Sequence, residues 1–326
     1  MQCFVGVDVS KAKLDVALLL ANDKFRSKVV SNDAKGFVAL LQWLQDHAPG
    51  SLHDLHVCME STGSYQEQLA CFLSDQGVLV SVVNPLLVKR FAEANRQRNK
   101  TDDADAKGLA RFCRSQRPER WHAPSPGVRA LQALVARLDT LQAMRQAESN
   151  RLEVAHASVA GSIQDVIVGL DEQIAWVKRQ IASTIDNDPD LKGRADLLHT
   201  IPGLGDRTIP QLLAYIGQPQ RFKTAKALVA YASLTPLVRQ SGSSLDKRRG
   251  THPLGHRALR HALYFPAMVA ARYNPAVAAF AQRLKAQNKP AKVVIVACMH
   301  KLLLIVHGVL RSAKPFDPSH PKPLAA

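Results

Sequence analysis

Short apolar runs alternating with helix-spaced stretches constrain the first third of this chain more than any other feature. Cys3 to Asp8 and Leu14 to Leu20 read as two strands joined by the turn Val9-Ser-Lys-Ala-Lys13, a hairpin signal. Ala34 to Asp46 has helical spacing, and Leu55 to Met59 is a strand ending in Glu60-Ser-Thr-Gly63. Tyr65 to Gln76 is helical again, and Val78 to Val83 is an apolar strand halted by Asn84-Pro85. This order of elements predicts an α/β domain around a central sheet, closed by the proline-containing linker His122-Ala-Pro-Ser-Pro126 and so spanning residues 1–122.

From Leu131 onward the spacing changes. Apolar residues recur every three or four positions (Leu131, Leu134, Leu138, Leu141, Met144, then Val159, Ile163, Val166, Leu170, Ile174, Val177, Ile181), which predicts a coiled-coil or helical-hairpin arm over residues 123–187, interrupted near Gly161. An intramolecular helical pair and a dimerisation arm both fit that seam. The acidic cluster from Asp186 to Asp190 marks the next boundary, and residues 188–326 read as a mainly α-helical basic domain of several short helices.

Charge placement narrows the partners. The net charge is +16, and residues 191–326 hold 21 Lys and Arg against four acids, while residues 1–190 hold 22 against 23. An excess confined to one end points to a polyanion, either nucleic acid or an anionic membrane surface. The most apolar run, Val293 to Leu310, is broken by His300, Lys301 and His307 and is read as a buried helix, so no membrane is expected. The N-terminus shows no secretory signal, and the five cysteines are scattered without a CxxC pair, which suits a reducing cytoplasm.

Two acids sit where an apolar strand ends: Asp8 in Val-Gly-Val-Asp-Val-Ser and Glu60 after Met59. Desolvating a lone carboxylate is costly unless a cation or hydrogen bonds compensate, so these two read as one site, with turn capping as the alternative. Further on, RNKTDDADA sets Asp102, Asp103 and Asp105 at the start of a predicted helix. Taken locally they cap its N-terminus. At i, i+3 spacing, however, Asp102 and Asp105 share a helix face, whereas Asp103 points about 100° away. Turned toward the strand ends, that face makes a four-carboxylate cage for a hard cation such as Mg2+ acting on phosphodiester oxygens. Ten Lys and Arg between Lys89 and Arg120, Lys100 among them, would hold backbone phosphates nearby.

Two further segments attract notice. Leu198 to Leu213 reads as helix, tight Pro-Gly-Leu-Gly turn and helix, in which Gly203 and Gly205 free backbone N–H groups for a phosphate, as in a helix-hairpin-helix clamp; a plain structural turn uses the same residues. Val238 to Gly250 is a small-residue loop followed by a basic run. There Arg239, Lys247, Arg248 and Arg249 would position a phosphate, and Ser241 is by its local sequence an ordinary turn serine.

In this order, Val5-Gly-Val-Asp8-Val-Ser-Lys, Glu60-Ser-Thr-Gly-Ser-Tyr65, Val83-Asn-Pro85, Asn99-Lys-Thr-Asp102-Asp-Ala-Asp105-Ala, Ile201-Pro-Gly-Leu-Gly205 and Arg239-Gln-Ser241-Gly resemble the DEDD transposases of bacterial insertion sequences. That family includes the Piv-type DNA invertases and the bridge-RNA-guided recombinases. The resemblance implies a RuvC-like N-terminal domain of the RNase H type, a coiled-coil arm and a C-terminal transposase domain. It implies the DEDD tetrad at Asp8, Glu60, Asp102 and Asp105, with Mg2+, and a catalytic serine at Ser241 that holds the broken strand as a phosphoserine. It also implies donor and target DNA as substrates, a noncoding guide RNA in one branch, and homodimers that assemble as a dimer of dimers.

The expected function is therefore DNA recombination that inserts and excises a mobile element. A RuvC-like junction nuclease would need the carboxylates without the serine, and a non-catalytic nucleic-acid-binding protein would need neither. An actin-like sugar kinase is disfavoured, because no second glycine-rich phosphate loop is visible.

Overall fold

A computed structural model describes residues 3–61, 65–94, 102–241, 245–251 and 255–319 and divides the chain into two compact units, residues 1–123 and 124–326. The first is built on the expected hairpin: β1 (Cys3–Val9) and β2 (Lys13–Leu19) run antiparallel, with Asp8 opposite Asp15. A third strand, β3 (Phe25–Ser31), continues the meander on the edge, where sequence patterning gave no strand. Helix α1 (Ala34–His47), capped by the Asp33 carboxylate on the Gly36 N–H, carries the chain across to β4 (Leu55–Glu60), which pairs parallel to β1. Helix α2 (Glu67–Asp75) leads to β5 (Leu79–Val83), parallel to β4, and the sheet order is β3-β2-β1-β4-β5.

Strand alternation divides the side chains between two cores. Val5, Val7, Val16, Val57 and Val80 face α1 and α2, packing on Phe37, Leu40, Leu44, Leu69 and Leu73. Phe4, Leu19, Cys58 and Val83 face the other side, which is covered by α3 (Pro85–Ala94) and α4 (Asp102–Gln116) through Val88, Leu109, Ala110, Phe112 and Cys113. The chain stays docked to the sheet beyond α4: the Trp121 backbone N–H donates to Val80 O at 2.7 Å, and the buried Ser81 hydroxyl donates to the carbonyl of Glu119 at 2.8 Å.

The second unit opens with two long helices, α5 (Pro126–Leu152) and α6 (Ala157–Asp186), packed against each other as an intramolecular hairpin. Val128, Leu131, Val135, Ile174, Val177 and Ile181 bury their seam in the core shared with the helices that follow. These are α7 (Pro189–His199), α8 (Ile209–Ile216) and α9 (Ala225–Tyr231). A β-ribbon follows, β6 (Pro236–Ser241) paired antiparallel with β7 (Leu245–Thr251). Of the segment read as a small-residue loop followed by a basic run, residues 242–244 lie outside the described residues, and what flanks them is strand, the basic run forming β7; cross-strand pairing, which leaves no apolar alternation in the sequence, organises it. The chain ends in α10 (Arg257–Tyr273), α11 (Pro275–Ala286) and α12 (Ala291–Ser312). Among the described residues α12 alone is long and apolar enough to cross a membrane, but half of that stretch is buried, with Val294, Cys298, Leu302, Leu303 and Val306 in the protein core. All five cysteines are buried, and none is joined in a disulfide.

Candidate active site

The register of the sheet brings the two strand-end acids together. Val7 of β1 pairs with Met59 of β4, so Asp8 and Glu60 are the next residues along two neighbouring parallel strands. By alternation both share the face of Phe4, Gly6, His56 and Cys58, the face that α4 covers. Both are half-buried.

Glycine at position 6 lets α4 lie directly on this strand. A Cβ there would stand 2.0 Å from Ala106 O, 2.4 Å from Ala110 N and 2.8 Å from Leu109 Cβ, so any side chain would push the helix off the sheet. Further along α4, the Cys113 thiol reaches His56 O at 3.5 Å and the Arg117 guanidinium lies over the Phe4 ring at 5.7 Å. The C-terminal end of α4 therefore sits over the start of β1 and β4, and its N-terminal end over their carboxyl ends. Asp105, half-buried in the first turn, is thereby delivered to the side of the sheet that carries Asp8 and Glu60. Asp102 is the first residue of the same helix, and its side chain lies outside the described residues.

Asp103 takes a different direction. Its carboxylate is exposed, accepts a hydrogen bond from Ser27 of β3 at 2.8 Å, and pairs with Lys107 one turn on at 2.6 Å. The Lys107 ammonium and, secondarily, the Ser27 hydroxyl hold its pKa below the usual carboxylate range.

A further carboxylate joins the face, one that sequence reasoning passed over. Asp15 lies directly across the ladder from Asp8, is only 7% exposed, and pairs with Lys13 Nζ at 3.0 Å. Facing like charges destabilise a strand pair unless a cation intervenes, and Lys13 supplies one. The signal was present: an acid inside the otherwise apolar Leu-Asp-Val-Ala-Leu-Leu. The donor chemistry of this face, all carboxylate oxygen, suits a hard divalent cation. Among the described residues no three His, Cys, Asp or Glu side chains close into a ligand cluster.

Beneath the acids, His56 is buried, its Nε2 2.8 Å from Ser81 Oγ. Burial, helped by the positive charge of Arg117, pushes its pKa down to about 4, which makes it a neutral structural group.

In the second unit the two turn glycines separate by role. Gly203 has φ +104°, and a Cβ there would meet Ala270 Cβ at 2.8 Å, so both its backbone and its packing against α10 demand glycine. The fully buried Asn274 fixes the same turn through its bond to Pro202 O at 3.3 Å. Gly205 is exposed with open space around it. Ser241 is the last residue of β6, opposite Leu245, and Arg239 pairs with Lys247 two positions away. Arg248 and Arg249 pair with Val238 and Leu237. The side chains of this ribbon, and all of Lys100, lie outside the described residues.

A carboxylate-bearing sheet lies in one unit and a basic helical body in the other, and sequence comparison specifies the class as transposase. A DEDD transposase profile of the IS110 group matches residues 5–155, and a profile described as transposase IS116/IS110/IS902 family matches residues 195–282. The pilin gene-inverting proteins of Moraxella bovis and Moraxella lacunata are each 35% identical over 316 residues, covering 96% of this chain and 97% of theirs. An uncharacterised 43.6 kDa protein of insertion element IS110 from Streptomyces coelicolor is 25% identical over 163 residues, 50% of this chain and 39% of its own length. The chain belongs to the IS110/IS116/IS902 transposase family. Membership makes it an enzyme of DNA transposition or site-specific recombination, with DNA as its substrate.

Proposed function

We propose that this chain is a recombinase that inserts and excises a mobile element by metal-dependent strand exchange, with Ser241 as nucleophile and a noncoding RNA as guide. The observation that carries the reading is the convergence of Asp8 and Glu60 on one sheet face, under the helix that begins with Asp102 and Asp105. The sheet order, an antiparallel β3-β2-β1 meander followed by parallel β4 and β5, supports a RuvC-like, RNase H type domain. The packed pair of α5 and α6 supports the arm.

Asp8, Glu60, Asp102 and Asp105 would hold Mg2+, which when bound supplies charge stabilisation at the scissile phosphate. Asp15 and Lys13 orient the Asp8 side of the ladder. Ser241 Oγ forms a bond to phosphorus as the P–O bond to the departing strand end breaks, and the serine proton ends on the departing hydroxyl. The strand is then held as a phosphoserine until a second hydroxyl attacks and restores the serine. Arg239, Lys247, Arg248, Arg249 and Lys100 neutralise backbone phosphates, with Gly203 and Gly205 shaping the turn that approaches them. The working assembly is a homodimer that pairs into a tetramer on donor and target DNA, in the cytoplasm.

The test is Ser241→Ala in a plasmid recombination assay with the wild-type element. Loss of recombinant product with retained DNA binding is the expected result; a wild-type rate would sink the serine mechanism and leave a junction nuclease that uses the carboxylates alone. Purifying the full-length protein and sequencing the RNA that accompanies it tests the guide. A second reading, site-specific inversion, is favoured by the relatives whose names describe inversion of a pilin gene. Plasmids carrying the recombination sites in direct and in inverted orientation separate the two by their products.

A further inference from the structure

One face of α10 remains outside these assignments. Arg257, His261, Phe265, Met268 and Arg272 recur at helical spacing along it, all exposed, with Phe265 72% exposed and the neighbouring Tyr273 70% exposed. The stripe is about 22 Å long, the span of several backbone phosphates. Its N-terminal half lines a groove of about 610 Å³ shared with Arg207, Thr208 and Gln211 from the start of α8.

Three properties of the groove point to a ligand. Arg207 and Arg257 reach it from separate helix starts, and neither takes part in an ion pair among the described residues. Thr208, only 7% exposed, makes no side-chain capping bond although it occupies the N-cap of α8, so its hydroxyl is left on the groove wall. The carboxylate that lines the groove, Asp139, accepts from Tyr215 Oη at 3.0 Å and Gln211 Nε2 at 3.4 Å and forms no ion pair with either arginine among the described residues. Phe265 completes the set: Tyr264 packs edge-on against it at 5.5 Å between centroids, which steadies an exposed ring beside the two guanidinium groups.

We infer that this groove and stripe bind an unpaired nucleic-acid strand, with a phosphate held by Arg207, Arg257 and the Thr208 hydroxyl and a base stacked on Phe265. A duplex keeps its bases stacked internally and has no use for an exposed ring, whereas single strands are gripped by basic grooves with aromatic platforms. A second copy of this chain fits poorly, because α10 carries no acid and would set its arginines against those of its partner. The inference rests on the reading of this chain as a nucleic-acid recombinase and adds a strand-holding site distinct from the carboxylates and the serine.

The experiment is fluorescence anisotropy of full-length protein with a labelled mixed-sequence oligonucleotide of roughly 20 nucleotides, as single-stranded DNA, single-stranded RNA and duplex DNA. Phe265→Ala and Phe265→Leu should each weaken single-strand binding about tenfold while changing duplex binding less than about twofold, since stacking is worth roughly 1–3 kcal/mol per base. The Arg207→Ala/Arg257→Ala variant should flatten the logarithmic salt dependence of single-strand binding by about 0.7, the contribution of the one phosphate the two side chains hold. Thermal melts confirm that these surface variants fold. Equal losses on single strand and duplex, or an unchanged salt slope, would overturn the inference. So would a Phe265→Ala protein of smaller mass in sedimentation with intact strand affinity, which would make the stripe a subunit interface. A stronger effect on RNA or on DNA identifies the strand held, and either supports the site. These are binding readouts, so they stand even if Ser241→Ala recombines normally and the proposed chemistry fails.

Discussion

The two units hold their proposed functional residues in different ways. In the first, Asp8 and Glu60 are fixed by the register of a buried five-stranded sheet, and Asp105 by a helix pressed onto Gly6. In the second, Ser241 sits at the end of a two-stranded ribbon paired only with itself among the described residues. A two-stranded ribbon contributes little stability by itself, whereas a five-stranded sheet with two covered faces carries its own core. The contrast lies in the support each proposed residue receives from its own unit, and substitutions in the first unit should expose it most sharply.

The largest effect is expected at the acids. Asp8→Asn keeps the shape of the strand end but removes a charge from the carboxylate face. Recombination of a plasmid substrate should fall by about 10³-fold or more, equivalent to roughly 4 kcal/mol of barrier. The melting temperature should hold or rise, because Asp15 then loses a like-charged neighbour across the ladder. A parallel fall in stability and activity would make Asp8 a structural residue and erase the contrast.

Gly6→Ala attacks the support instead of the chemistry. With Ala106 O only 2.0 Å from the added Cβ, the contact is with backbone and cannot be relieved by a rotamer change. The cost should reach about 3 kcal/mol, the upper range for overpacking, and recombination should be lost as Asp102 and Asp105 move off the strand ends. Urea unfolding of the full chain measures it. A variant as stable and active as the parent would mean that α4 does not position the site.

A smaller effect distinguishes acid sensitivity in the first unit. Folding holds His56 neutral at about 4 against an ordinary 6.5, so between those values the unfolded chain binds the extra proton. Stability from this residue is complete above about pH 6.5 and falls as pH drops toward 4, by up to about 3 kcal/mol. His256 and His300 are also depressed by burial, so the measurement is the difference between parent and His56→Gln, which keeps a partner for Ser81. The parent should lose more stability than the variant on acidification; identical slopes would refute the assignment.

What the sequence made legible follows the same division. The hairpin, the alternation and both strand-end acids could be read because buried strands impose apolar runs, against which an acid stands out. Strand β3 could not: as an edge strand with Arg26 and Lys28 exposed, it shows no period-two burial. Asp15 was hidden inside a strand already accounted for as apolar. The β6–β7 ribbon reads as a loop because Gln240-Ser-Gly-Ser-Ser and Asp246-Lys-Arg-Arg carry no strand pattern, and only pairing reveals it. The role of Gly203 in packing against Ala270 is likewise a tertiary contact, invisible in a local Pro-Gly-Leu-Gly motif. The role proposed for Ser241 comes from family resemblance alone, since the physical signal at that position is that of any turn serine.

The smallest expected effect is the most discriminating within the opening helix. Asp103 lies between two proposed ligands in sequence, yet it faces β3 and the solvent, bound to Ser27 and Lys107. An exposed i, i+4 pair of this kind contributes about 0.5 kcal/mol or less. Asp103→Asn should therefore leave recombination near the parental rate, while the same change at Asp102 or Asp105, one position or two positions away, should abolish it. Because all three substitutions remove one charge from the same turn, a general electrostatic contribution to DNA binding or to helix capping would affect them alike. Only a directional requirement, set by the face of α4 that meets the sheet, separates the middle residue from the other two.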